Sequence, residues 1–261
     1  MNFTKKVLKD NIIYITALLV AAAIFVGCAV VLIDRFMPPA QNLNQYKTPV
    51  VQQTKPQEFK PNVTPQNPIM FESLQNFNPD ICGWITVDGT LVDYPILRSG
   101  PDKEEQFYLT HDYSGVEQRY GSIFIERMNV EDFSDSNTVI YGHNMLSGAM
   151  FGQLKKFRSQ EFFNENRYIH IYAPKKIYKY EIYAAYVTDD RHILRSYNFY
   201  MQSGYKRFID DVMKEDNIAV TRKKDGEITV NDKIITLSTC TSNEEERYIV
   251  IAKLIQTTDT L

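Results

Sequence analysis

The stretch Lys233–Leu254, KIITLSTCTSNEEERYIVIAKL, constrains what this chain can fold into more than any other. A mostly apolar run, Ile234 to Leu237, leads to Ser238, Thr239 and Cys240. The polar, acidic residues Thr241 to Glu246 follow, and Arg247 then opens a second run, Tyr248 to Leu254, rich in β-branched side chains. Each run has the composition of a strand. The short polar connection predicts a hairpin, longer than a tight two-residue turn. In a hairpin the end of one strand lies beside the start of the next, so Cys240 and Arg247 meet at one end of a sheet. A thiol beside a permanent cation is held toward the thiolate, its reactive form. The same residues also have a plain reading, with Cys240 as a small buried apolar side chain and Arg247 as a solvated edge charge.

Strand-like segments recur through the chain. Cys82–Val87 is followed by the turn signal Asp88-Gly89 and a return run, Leu91–Ile96. Gly121–Ile125, Asn137–Tyr141, and the pair Tyr168–Ala173 and Ile177–Thr188 around Pro174 continue the series, with Glu227–Val230 as a further short strand. Helical spacing is confined to Met70–Phe77, Met150–Phe157 and Ser203–Glu215, the last with Tyr205, Phe208, Ile209 and Met213 on one face. Many short strands with few short helices predict a mainly β fold, a closed or nearly closed antiparallel β-barrel. The abundance of Tyr and Phe, 17 and 15, suits such sheets.

Ahead of this body lies a different kind of sequence. Lys5, Lys6 and Lys9 precede Ile12–Ile33, 22 residues without a charge. At about 1.5 Å per residue a helix of that length crosses an apolar layer of about 30 Å. A cleaved signal peptide is the alternative, but its apolar region is shorter, about 7–15 residues. The lysines place the N-terminus inside. Residues 34–67 hold six of the eleven prolines among Gln, Asn and Lys, a composition that builds no core. The expected organisation is therefore a cytoplasmic N-terminus (1–11), a transmembrane helix (12–33), a Pro-rich linker (34–67) and an extracytoplasmic folded domain (68–261). A net charge of -3 supplies no basic field for nucleic acid. Cys28, Cys82 and Cys240 are odd in number and widely spaced, with no Cys-x-x-Cys, so neither a disulfide framework nor a metal or other cofactor is expected. Cys28 within the apolar run and Cys82 beside Trp84 are expected to be packing residues.

Four histidines could partner Cys240. His170 lies inside the strand-like IHIYA, His192 in the charged and solvated DDRHILR, and His111 in a loop beside Asp112. His143 follows NTVIYG, where a strand gives way to a loop. Strand ends of this kind present functional side chains, although a turn histidine is also commonly just exposed.

TLSTC followed at short range by RYIVIAKL, with Tyr141-Gly142-His143 far upstream, resembles the active-site pattern of the sortases, membrane-anchored cysteine transpeptidases. The resemblance is closest to class B and extends over Asn78–Gln256 through NPDICGWITVDGTLVDYPIL, YLTHDYSG, GSIFIE and TVIYGHN. It implies a sortase-like barrel of about eight strands. It makes Cys240 the nucleophile, His143 the proton donor to the leaving amine, and Arg247 a stabiliser of the oxyanion. Thr239 is then placed to orient substrate or oxyanion, while Tyr141 and Leu109 either line a peptide groove or belong to the core. Free Cys and His titrate near 8.5 and 6.5, so a thiolate–imidazolium pair is a minor population unless each stabilises the other. The implied substrates are surface proteins with a C-terminal sorting signal such as Asn-Pro-x-Thr-Asn, cleaved after Thr and transferred through a Cys240 thioester to an amine of a cell-wall precursor. The implied location is the membrane of a Gram-positive-type envelope, with the catalytic domain outside. One departure is the acidic run Glu244–Glu246, which could compete for Arg247 or alter substrate choice. A membrane-tethered cysteine hydrolase, or a catalytically silent surface assembly module, are the alternatives; the intact Cys240, His143 and Arg247 argue against the silent one.

Overall fold

In the computed structural model the described residues are 64–214, 221–222 and 227–261, preceded by 20–22, 24–25 and 43–47. The strands are β1 Ile81–Val87, β2 Asp93–Arg98, β3 Ile123–Ile125, β4 Asn137–Tyr141, β5 Tyr168–Ala173, β6 Lys176–Asp189, β7 Thr221–Arg222, β8 Ile234–Cys240 and β9 Glu246–Asp259. They pair in the order β5-β1-β2-β3-β4-β8-β9-β6, and a further β5–β6 pairing closes the circuit. The two-residue β7 sits on β6 outside it. The fold is thus a closed eight-stranded barrel with a few short helices.

The expected antiparallel barrel needs one correction, because two seams, β2–β3 and β4–β8, are parallel. A parallel neighbour requires a crossover instead of a hairpin. Between β4 and β8 the chain inserts β5, β6 and the helices Gln160–Glu165, Ile193–Ser196 and Gln202–Lys214. The alternation of a strand's side chains tells its faces, not the direction of its neighbour, which is why the sequence pattern misses this.

The barrel interior is filled by Ile85, Ile96, Ile123, Ile125, Ile140, Ile171, Leu237 and Val250, all fully buried or nearly so. A second cluster lies outside the wall, where Tyr205, Phe208, Ile209 and Val212 of the helix Gln202–Lys214 cover Val139, Ile249 and Ile251. Strands β4 and β8 and the Tyr248–Ala252 stretch of β9 are therefore buried on both faces. A third cluster joins Trp84, Leu97, Tyr108 and Phe124 to Phe71 and Leu74 of the helix Phe71–Phe77.

Local departures from the sequence pattern have simple causes. Met150–Phe157 does not form one helix. Met150 takes a positive φ of 52°, the 3-10 turn Leu154–Arg158 follows, and Ser159 caps a separate helix by accepting from the Phe162 N–H at 3.3 Å. Residues 227–230 form no strand.

Of the expected transmembrane helix, only residues 20–22 and 24–25 are described, and these are helical. Among the described residues no helix is long and apolar enough to cross a membrane. Most of the Pro-rich segment also lies outside the described residues, but 43–47 pack on the barrel. The Met70 N–H donates to the Tyr46 carbonyl at 2.9 Å, and Tyr46 joins the third cluster. The Lys47 ammonium stands 5.2 Å from the Trp84 ring centroid and pairs with Asp93, which also accepts from Trp84 Nε1 at 2.7 Å.

These contacts predict that a chain beginning at residue 64, which keeps Pro65 and Asn67, is less stable than one beginning at residue 42. A partly buried Tyr and a cation–π contact are together worth about 1 kcal/mol, or roughly 2–4 °C for a domain of this size. Thermal unfolding of the two proteins by circular dichroism checks this; equal midpoints would mean that residues 43–47 add nothing.

Candidate active site

The site begins where β4 and β8 end side by side. Their last paired residues are Tyr141 and Ser238, and the Gly142 N–H continues the ladder to the Ser238 carbonyl at 3.2 Å. Position 142 has no room for a side chain, since a Cβ there would lie 2.4 Å from Ile123 Cδ1 and 2.8 Å from Phe151 Cδ2. The chain then leaves the sheet in a loop closed by the Phe151 N–H donating to the His143 carbonyl at 2.9 Å.

The half-buried His143 projects from the start of this loop, its Nε2 2.7 Å from the Leu109 carbonyl oxygen. A carbonyl only accepts, so this contact assigns a proton to Nε2 and leaves Nδ1 as the nitrogen that can exchange one. Leu109 thus contributes its backbone, while its side chain is 38% exposed.

Cys240 is the exposed last residue of β8, directly opposite Arg247 in the antiparallel β8–β9 ladder. The hairpin logic of the sequence therefore holds. Arg247 Nη1 donates to the carbonyls of Glu244 at 2.7 Å and Glu246 at 2.9 Å. Among these described contacts the acidic run meets Arg247 through its main chain. The Glu246 carboxylate instead accepts from the Thr241 hydroxyl at 3.2 Å. Thr239 is buried, and its hydroxyl has no hydrogen-bond partner among the described residues.

Tyr141 lies farther from the edge. Its ring stacks on Phe124 at 5.4 Å between centroids, and burial pushes its phenol well above the ordinary value. Cys82 contrasts with Cys240: it is sealed in the core, and burial pushes its thiol up to about 12. Cys28 lies outside the described residues.

The other histidines are committed elsewhere. His111 stacks on Phe107 at 3.7 Å, and His170 is half-buried in β5, where desolvation lowers its pKa. In DDRHILR the charged Asp189, Asp190, Arg191 and Arg195 are exposed, as the solvated reading has it, and His192 is the exception. Its Nε2 lies 2.9 Å from Oε2 of Glu126, a fully buried carboxylate that also accepts from Gln106 Nε2 at 2.9 Å. The helical turn Ile193–Ser196 follows with Ile193 and Leu194 buried, so one partly buried residue of a charged segment reaches the carboxylate at the end of β3. Sequence reasoning also missed Asn144, whose Nδ2 donates to the Cys240 carbonyl at 2.9 Å. Side chain–main chain contacts of this sort leave no motif; the only available signal was adjacency to His143.

Comparison with known proteins gives one consistent result. The Sortase domain family matches residues 85–255. Sortase B of Listeria monocytogenes is 34% identical over 185 residues, covering 70% of this chain and 72% of its own. Sortase B of Staphylococcus aureus is 32% identical over 189 residues, covering 71% and 75%. The solved Staphylococcus aureus sortase B–substrate complex aligns with a TM-score of 0.63 at 32% identity, over 72% of this chain and 85% of that one. Bacillus anthracis sortase B in complex with AAEK1 aligns with a TM-score of 0.64 at 34% identity, over 75% and 89%.

The two thiols described here predict a simple labelling pattern. In the folded chain 42–261, iodoacetamide at about pH 8 modifies Cys240 alone, because alkylation needs an accessible thiolate. Cys82 reacts only once denaturant opens the core, and raising the pH to about 10 does not expose it, since its thiol stays protonated until near 12. Intact mass before and after denaturation reads this directly; native labelling at Cys82 would refute it.

Proposed function

The chain belongs to the sortase family, and on that premise we propose that Cys240, His143 and Arg247 carry its cysteine transpeptidase chemistry. The observation that supports this most is register. Cys240 and Arg247 face each other across one ladder, and His143 lies two residues beyond the last pair of the adjacent parallel ladder. Three separate stretches of sequence thereby reach one edge of the barrel.

Each group has a chemical task there. The Cys240 thiolate attacks the carbonyl carbon of the scissile peptide bond, forming a C–S bond and sending an electron pair to the carbonyl oxygen. Arg247 meets that oxyanion with a planar fork of donors, its orientation set by the two carbonyls that hold Nη1. As the tetrahedral carbon collapses, the C–N bond breaks and His143 gives a proton from Nδ1 to the departing amine. In the second half His143 takes the proton of an incoming amine, which attacks the thioester and expels the Cys240 thiolate. Leu109, whose carbonyl meets His143, borders the bound peptide, while buried Thr239, one residue before the nucleophile, and Tyr141, stacked on Phe124, support the substrate-binding edge from behind.

The substrate we propose is a surface protein with a C-terminal signal of the Asn-Pro-x-Thr-Asn type, cleaved after Thr and joined to a cell-wall precursor amine. A relative of similar fold, the Staphylococcus aureus sortase B–substrate complex, supports binding of a sorting-signal substrate; the particular signal rests on the resemblance alone. Ile12–Ile33 would anchor the chain in the membrane as a single span with residues 1–11 inside. Residues 34–67 would act as a spacer and residues 68–261 as the catalytic domain on the outer face of the envelope. The exposure of helical Val20, Ile24 and Phe25, 53%, 62% and 75%, suits an apolar surrounding.

Incubating the chain 42–261 with a library of sorting-signal peptides, with and without candidate amines, tests signal, acceptor and reaction type together. Mass spectrometry should find the new amide bond after Thr; hydrolysis alone, whatever amine is present, would make the enzyme a hydrolase. Cys240→Ala should abolish cleavage, and retained turnover would overturn the assignment. Arg247→Lys keeps the charge but loses the fork, and should lower kcat/KM by about 10²–10³. Its Tm should hardly move, because a charge at a strand end adds little to stability. A near-normal rate, or a loss explained by unfolding, would return Arg247 to the status of an edge charge.

A further inference from the structure

In a parallel pair, the carbonyls that one strand presents to its neighbour recur every second residue, and so do the N–H groups that meet them. At the β4–β8 seam the Ser238 carbonyl takes the Gly142 N–H. Two residues on, the Cys240 carbonyl is the next acceptor, and the backbone N–H of residue 144 would be the next donor. The backbone has already turned away at that point, because Asn144 forms an isolated antiparallel bridge with Met150. The donor that reaches Cys240 is instead the Asn144 side chain, Nδ2 to carbonyl oxygen at 2.9 Å.

We propose that Asn144 is a positioning residue: its side-chain amide replaces a missing backbone rung and fixes where His143 stands relative to Cys240. This rests on the reading of Cys240 and His143 as the reacting pair. His143 sits between the two rungs that hold its loop to β8, the Gly142 N–H before it and the Asn144 amide after it. Its ring is steered by the Leu109 carbonyl, but a ring contact to another loop does not set the spacing between β4 and β8. Without the second rung, the loop is tied to β8 only on the Gly142 side of His143; the Phe151 N–H on the His143 carbonyl and the Leu109 contact remain, but neither fixes its distance from Cys240. Proton transfer depends steeply on such spacing, and a misplacement of about 1 Å can cost about 10²-fold in rate.

The test uses the full-length chain and four variants: Asn144→Ala, Asn144→Asp, Cys240→Ala and His143→Ala. Asn144→Asp keeps the size and shape while replacing the donor with an oxygen that repels the Cys240 carbonyl. Both Asn144 variants should lower kcat by about 10- to 10²-fold, with KM changed far less, since Asn144 acts through His143 and not on the peptide. Because Asn144 is exposed, the Tm should stay close to that of the parent. The decisive reading is the pH profile of Cys240 alkylation, compared with that of His143→Ala. In Asn144→Ala it should move toward the profile of His143→Ala. Parent-like kcat in Asn144→Asp, or a rate loss with the alkylation profile unmoved, overturns the proposal. Turnover surviving in Cys240→Ala or His143→Ala would instead show that the site itself is misassigned.

Discussion

The parallel seam between β4 and β8 is the constraint on which the site depends. It runs from Asn137 opposite Ile234 to Tyr141 opposite Ser238. In a parallel pair both strands finish at the same edge. The residues that follow β4 and the residues that end β8 therefore emerge together, and His143 and Cys240 become neighbours although about a hundred residues of chain separate them. An antiparallel seam at this place would have sent them to opposite ends of the barrel. The seam is itself secured by burial on both faces and by the Thr236 hydroxyl donating to Asn137 Oδ1 at 3.0 Å. The long crossover it requires also supplies the helix that covers its outer face.

The electrostatics of the edge follow from what holds Arg247. Two main-chain carbonyls grip one of its nitrogens. Carbonyl dipoles orient a guanidinium without cancelling its charge, whereas a bidentate carboxylate would both occupy the donors and neutralise the field felt by the neighbouring thiol. The acidic run thus shapes the arginine through its backbone, and its carboxylates are left to other partners or to solvent.

The hairpin, the Cys240–Arg247 apposition and the barrel class were legible because each is written in local pattern. Two β-branched runs with a polar turn admit few other folds, and adjacency across a hairpin follows from connectivity alone. His143 stood out by its place at a strand end, sharpened by the family resemblance. Strand direction was not legible, because alternation of side chains is identical for parallel and antiparallel neighbours. Nor was the His192–Glu126 clasp. DDRHILR has the composition of a solvated loop, and only the burial of Glu126 at the end of β3 creates the need for a partner. Tyr46 and Lys47 were hidden by the prolines around them, since composition averages over a segment while docking depends on one or two side chains. The contacts of Leu109 and Asn144 with the site join side chains to backbone carbonyls, and carbonyls are the same in every residue.

The ends of the folded body bear on where the chain enters the barrel relative to its Cys240–Arg247 edge. The Leu261 N–H donates to the Pro65 carbonyl at 3.1 Å, and Asn67 Nδ2 donates to the Ala173 carbonyl at 2.7 Å, so the entering chain is clasped beside the C-terminal ends of β5 and β9. Arg247 lies near the other end of β9, twelve residues away, on the order of 40 Å along its path. Whatever precedes residue 64 therefore joins the barrel at the end of β9 opposite to Arg247, and the edge that carries Cys240 and Arg247 is left clear of the chain's point of entry.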